Sequence, residues 1–197
     1  MRSVLIILFL TFSATAFSQK HTYVDSMRLY QKEYADTHEV VKGLDKKHLR
    51  FFPIQQKYRV PARFERITDS VGFNMPTSGK ISKHFFRYGI LKFRLDNKDL
   101  QLTVYQNEKL MATDAYKDYL FIPFTDLTSG DKSYGGGRYI DILISDISNN
   151  ALLLDFNKAY NPYCAYTTGY NCPIPPREND LPVAIKAGEM EFGKAHN

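Results

Sequence analysis

Between residues 58 and 144 apolar and polar side chains repeatedly alternate with a period of two, a spacing that serves a strand and not a helix. In the first run Tyr58, Val60, Ala62 and Phe64 alternate with Arg59, Arg63 and Glu65, and in the second Leu91, Phe93 and Leu95 alternate with Lys92 and Arg94. Leu100, Leu102 and Val104 follow the same rule, as do Ile140, Ile142 and Ile144. Alternation of this kind belongs to antiparallel sheet with one buried and one wet face. Asp96-Asn97-Lys98-Asp99, between two of the runs, reads as a hairpin loop. Residues 119–124 and 152–156 are more continuously apolar and fit more deeply buried strands, with Pro123 holding the first of them near an edge or strand end. A last strand is expected over 183–187. The expected fold is mainly β (α+β): a single antiparallel β-barrel or sandwich-like domain with one N-terminal amphipathic helix and a β core over 57–188.

The helix is expected over 22–44, where Tyr23, Met27, Tyr30, Tyr34, Thr37, Val41 and Leu44 recur at steps of four and three. Thr22 can cap its start with Asp25 three residues on, and Gly43 lies near its end. Upstream, Arg2 precedes an uncharged apolar run from Val4 to Phe17, followed by small residues at Ala16 and Ser18. That pattern is a secretory signal peptide over 1–18 with cleavage after Ser18, leaving 19–197 as the mature domain in a secreted or periplasmic location. The run is shorter than the ~20 residues of a spanning helix, and no second one follows, so no membrane span is expected in the mature chain.

The whole chain holds 26 Lys plus Arg against 21 Asp plus Glu, a net charge of +5 that gathers in no block, so nucleic acid is not an expected partner. From 157 to 182 periodicity disappears and Pro162, Pro173, Pro175, Pro176 and Pro182 indicate a long loop. The two cysteines, Cys164 and Cys172, both fall in it, and in an oxidising compartment they are expected to be bridged. Scattered single histidines provide no metal-ligand spacing, and no cofactor signature is present, so neither a metal nor a cofactor is expected.

The polar chemistry collects in two stretches, Tyr134 to Asp141 and Asp155 to Asn179. Gly135-Gly136-Gly137 lacks the downstream Gly-Lys-Ser/Thr and the helix of a phosphate loop, and reads as a tight turn or bulge. Arg138 shares its parity with Ile140 and Ile142, so it sits at the core rim and needs a carboxylate or carbonyls; Asp155 is the first-choice partner. The alternative is an Arg138 that grips an anionic ligand.

Tyr134-Gly135-Gly136-Gly137-Arg138-Tyr139-Ile140-Asp141, residues 154–166, Cys172-Pro173-Ile174-Pro175-Pro176 with Glu178-Asn179, and residues 181–189 together resemble the bacterial family called domain of unknown function 1684. Residues 119–130 and Tyr58-Arg59-Val60 also fit. The resemblance covers most of the mature chain and implies no activity, because the family has none established.

The leading expectation is therefore an exported domain that binds a small polar ligand or an envelope component through Arg138, Asp155, Asn157, Lys158, Asn161 and Glu178. Two alternatives stay open: a hydrolase with Asp155 and Glu178 as acid and base, and a structural envelope protein in which the same residues are buried tethers.

Overall fold

The computed structural model describes residues 22–194, so the signal-peptide expectation for 1–18 lies outside the described residues. Eight strands form one antiparallel-dominated sheet curled into a half-barrel: β1 (Arg59–Arg66), β2 (Phe73–Met75), β3 (Lys83–Leu95), β4 (Lys98–Asn107), β5 (Tyr119–Asp126), β6 (Arg138–Leu143), β7 (Ala151–Asp155) and β8 (Asp180–Leu181). The order is β6-β5-β4-β3-β1-β7, with β2 added to β3 and β8 running parallel to β5. The expected β class is thus observed.

The concave core is the inward set read from the alternation: Val60, Ala62, Phe64, Leu91, Phe93, Leu102, Val104, Ile140 and Ile142, joined by Leu120, Ile122, Phe124, Leu154 and Phe156. The β3–β4 hairpin turns on Asp96 and Asn97 alone, both at positive φ (48° and 60°), and Leu95 already pairs with Lys98. Four loop residues were expected; two suffice because left-handed residues at both central positions match the twist of the strands.

A bulge decides what the other face does. Leu91 opposes Leu102, but Arg87 opposes Tyr105 and Gly89 opposes Val104, so Tyr88 is an extra residue in β3. One inserted residue exchanges the two faces of a strand. Phe85 consequently leaves the concave core and joins Met75 and Tyr105 in a second buried cluster on the convex side, against which Phe73 and Phe121 pack.

Pro123 has a specific consequence for the sheet. The β4–β5 ladder is limited to the pair Tyr105 and Phe121, and past it the Asn179 side chain takes over. Its amide nitrogen donates to the carbonyls of Pro123 (2.7 Å) and Thr103 (2.9 Å), while its oxygen accepts from the Thr103 N–H (2.7 Å). A proline that cannot donate is accommodated by a side-chain amide inserted between the strands.

Helix α1 (Tyr23–Thr37) starts with the expected capping box of Thr22 and Asp25, but it stops at Thr37 rather than 44. The ring Nδ1 of His38 accepts from the N–H groups of Val40 (3.2 Å) and Val41 (2.9 Å), which turns the chain out of the helix. Val41 is buried in a separate cluster, and Leu44 is 85% exposed. Within the helix the tyrosine stripe does pack inward: Tyr23 donates to Asp155 (2.9 Å) and Tyr34 to Glu189 (3.0 Å). Among the described residues no helix is long and apolar enough to cross a membrane.

Candidate functional site

Residues 183–187, expected as a strand, form no ladder. The carbonyls of this segment and just beyond it are used differently: the Arg138 guanidinium donates to the carbonyls of Ile185 (2.8 Å), Ala187 and Glu189 (3.1 Å), and to the Asp126 carboxylate (2.7 Å). Arg138 exposes no surface and its acidic partner is Asp126, not Asp155. The parity argument for a core-facing Arg138 was sound; the partner differs because β5 is the neighbour of β6 and carries Asp126 at its end.

Asp155 belongs to a different network, with the hydroxyl of Tyr23 and the amide of Asn157 (3.0 Å). Asn157 is buried and also clasps the backbone of Gln55. Asn161 is buried and donates through its N–H to Glu189 (2.9 Å) and through its amide to the Met190 carbonyl (2.8 Å). Lys158 is exposed, its ammonium 5.7 Å from the centre of the Tyr30 ring. Glu178 is at the far side of the sheet, held by Arg87 (2.8 Å) and the Tyr105 hydroxyl (2.8 Å); the Arg87 contact holds its carboxyl below the usual range. The six residues therefore do not converge on one surface, and Asp155 and Glu178 are fastened to different partners in separate places. The loop between 157 and 182 is tied by the Cys164–Cys172 disulfide.

A cavity opens instead on the convex face. Across β5 and β6 the register sets Tyr119 against Leu143, Phe121 against Asp141 and Pro123 against Tyr139. Leu120, Ile122, Ile140 and Ile142 point into the concave core, so Tyr119, Phe121, Tyr139 and Asp141 share the opposite face. The segment after β7 folds over them: Tyr160 exchanges both backbone hydrogen bonds with Tyr139 (2.9 and 3.0 Å), and the Tyr139 hydroxyl donates to the Pro173 carbonyl. Phe85, brought to this face by the bulge, completes the aromatic wall. The half-open space is about 540 Å³ and is lined also by Ile81, Lys83, Leu110 and Pro173. A second space of about 440 Å³ lies between Asp141 and helix α1, lined by Tyr30, Tyr34 and His38. Asp141, Tyr119 and Tyr160 border both.

Among the described residues Asp141 is the one carboxylate lining the larger cavity. Desolvation in these aromatic surroundings raises its pKa; the Tyr160 hydroxyl, which donates to it, and to a lesser degree the Tyr119 hydroxyl oppose that rise by stabilising the charge. Burial and the neighbouring carboxylate push the Tyr160 phenol well up, so it is a donor and not a phenolate. The arrangement presents an apolar slot ending in a hydrogen-bonding carboxyl and two phenols. Among the described residues no group of three or more His, Cys, Asp or Glu side chains is placed to hold a metal ion.

Tyr139, Asp141, Tyr160 and Pro173 fall within the two polar stretches read from the sequence, but none is among the six residues expected to bind, and Phe85, Tyr119 and Phe121 lie outside both stretches. A signal was present: Tyr105, Phe121 and Tyr139 occupy wet-face positions of three strands, and aromatic residues on a nominally wet face mark a second buried layer.

The comparisons with known proteins agree on lineage and are silent on activity. The model for the family described as protein of unknown function (DUF1684) matches residues 45–190. Nothing among curated proteins matches the chain. The solution NMR structure of an uncharacterized protein from Haloarcula marismortui is similar, with 29% sequence identity, a TM-score of 0.63, and coverage of 84% of this chain and 92% of that one. With its family motifs and a family match over well over half its length, this chain belongs to the DUF1684 family.

Proposed function

We propose that this protein binds a small, largely apolar ligand in the convex-face cavity, and that it does so outside the cytoplasm. The observation that carries the binding reading is the cavity of about 540 Å³ walled by Phe85, Phe121, Tyr139 and Pro173, with Asp141 as its only carboxylate among the described residues. A space of this size and lining suits a ring-sized molecule whose apolar body stacks on the aromatic walls and which can present a hydrogen-bonding group to Asp141, Tyr119 or Tyr160. The leader-like run over 4–17 and the disulfide support the export reading.

N-phenyl-1-naphthylamine, an uncharged aromatic probe that fluoresces on entering an apolar site, tests the reading. Saturable one-to-one binding is expected, weakened at least about tenfold by Leu110→Trp, which puts a bulkier side chain at a lining position. Absence of saturable binding, or equal affinity in the variant, overturns it. For export, the amino-terminal sequence of the protein recovered from the extracytoplasmic fraction is expected to begin at Gln19.

A further inference from the structure

The margin of the same cavity has a charge arrangement that the apolar reading leaves unused. Lys83 is the first residue of β3 and Lys109 lies in the short helix α2 (Glu108–Met111) that follows β4. Phe85 is the last register partner of β4, opposite Asn107, and Lys109 follows two residues later in α2, so Lys83 and Lys109 both come to line the same end of the cavity. Lys109 is fixed there because the Asn107 side chain accepts from the N–H groups of Lys109 (3.0 Å) and Leu110 (3.2 Å) and donates to the His84 carbonyl (3.3 Å). Both lysines line the cavity, and among the described residues neither ammonium has a carboxylate within ion-pair distance. Two like charges brought close together without a counter-ion are unfavourable. Here burial, with the Lys109 charge adding to it, depresses the Lys83 ammonium below its ordinary range. Eleven ion pairs neutralise charges elsewhere on the described residues, so carboxylates are used freely in this chain but not at these two lysines.

The opposite end of the cavity has the opposite character. Asp141 is level with Phe121 on β5, and Phe121 with Tyr105 on β4. Lys109 lies two strands over and four residues further along, which at ~4.8 Å per strand and ~3.3 Å per residue separates the two ends by more than ~10 Å. An occupant that spans this distance meets aromatic walls in the middle, two unneutralised cations at one end, and a carboxyl with phenols at the other.

We propose that the ligand is an amphipathic anion, an aromatic or similarly apolar body bearing one carboxylate, sulfonate or comparable oxyanion that Lys83 and Lys109 neutralise at the cavity margin. The proposal rests on the cavity reading above and adds the headgroup to it. The anion relieves the repulsion between the lysines, while Asp141 at the far end disfavours a second anionic group there and accepts a hydroxyl or amine instead. Attraction between the lysine pair and an oxyanion is electrostatic and partly exposed, so it weakens with ionic strength.

Two probes separate the body from the headgroup. N-phenyl-1-naphthylamine and 8-anilinonaphthalene-1-sulfonate share an aromatic framework and differ in the sulfonate. In the double variant Lys83→Gln, Lys109→Gln, affinity for the sulfonate is expected to fall about tenfold while affinity for the uncharged probe stays within about twofold. The wild-type preference for the sulfonate is expected to shrink on raising salt from about 0.05 to 0.5 M. Thermal stability of the double variant is expected to equal or exceed that of the wild type, since the substitution removes a repulsion. Unchanged sulfonate affinity in the variant, or equal losses for both probes, overturns the headgroup assignment with the cavity reading intact. If the uncharged probe does not bind the wild type at all, the cavity reading itself falls.

Discussion

Arg138 and Asp126 form an ion pair of 2.7 Å in which neither side chain exposes any surface, and the same guanidinium holds the carbonyls of 185, 187 and 189. One side chain thus fastens the C-terminal segment, which has no ladder of its own, to the end of β5. Breaking a buried pair by removing one member costs about 3–5 kcal/mol, because the other charge is left uncompensated. Arg138→Met is expected to lose that much. Asp126→Asn keeps the oxygen that accepts from Thr128 and Ile185 but leaves the buried guanidinium without a counter-charge, so it too is expected to lose about 3–5 kcal/mol. Urea denaturation of the two variants measures both; a loss under about 1 kcal/mol in either would contradict the role given to the pair.

The three consecutive glycines are not equivalent. Gly137 sits at φ +86°, and a Cβ there would lie 2.7 Å from the Phe124 carbonyl oxygen and 2.6 Å from Pro175. A Cβ on Gly135 would have its nearest neighbour at 3.5 Å. Gly137→Ala is therefore expected to cost about 2 kcal/mol or more, from left-handed backbone and a backbone clash together. Gly135→Ala is expected to fall within about 0.5 kcal/mol of the wild type. Paired thermal melts decide it.

Two buried groups bend the stability profile in opposite directions. Desolvation pushes the Glu189 carboxyl up to about 7 despite donors from Asn161, Tyr166 and Tyr34. The folded chain then holds a proton that the unfolded chain has released, so Glu189 removes stability as pH rises from about 4.5 to about 7. Desolvation, reinforced by Lys42 and Lys46, pushes His38 down to about 4. Here the unfolded chain binds the extra proton, so stability rises with pH between about 4 and 6.5. Each contribution is worth up to about 2–3 kcal/mol, and between pH 4.5 and 6.5 they oppose one another. Urea midpoints of the wild type are expected to be nearly level over that window. Glu189→Gln is expected to expose the His38 contribution, with stability falling steadily on acidification below about 6.5; a variant as level as the wild type would refute the assignment.

The disulfide anchors the roof of the cavity. Ser78 donates through its N–H to the Cys172 carbonyl (2.9 Å) and accepts at its hydroxyl from the Cys172 N–H (3.1 Å), and Pro173 follows directly. Replacing Cys164 and Cys172 by serine is expected to cost about 2–3 kcal/mol on the chain-entropy scale for so short a loop and to weaken binding of the uncharged probe severalfold. Alkylation with intact-mass analysis is expected to label two thiols after reduction and none before it.

What was legible in the sequence followed from local rules. The period of two located the inward residues from Tyr58 to Ile142, because successive side chains of a strand must leave opposite faces. The parity of Arg138 announced a buried cation, the capping box of Thr22 announced the start of α1, and the two cysteines of the Pro-rich loop announced their bond. Other outcomes depended on pairs far apart in the chain. Helix α1 ended early because the ring of His38 captures two backbone donors, a competition that periodicity does not register. Asp126 rather than Asp155 met Arg138 because strand order, not spacing along the chain, chooses neighbours. The cavity arose only after the extra residue at Tyr88 exchanged the faces of β3 and the segment through Tyr160 and Pro173 closed over Tyr139. The sequence by itself determined which strand positions line the concave core, since that face follows a local period. The tertiary structure alone decided which buried groups meet and where space is left between them, since contact depends on register, bulges and loop closure summed over the whole sheet.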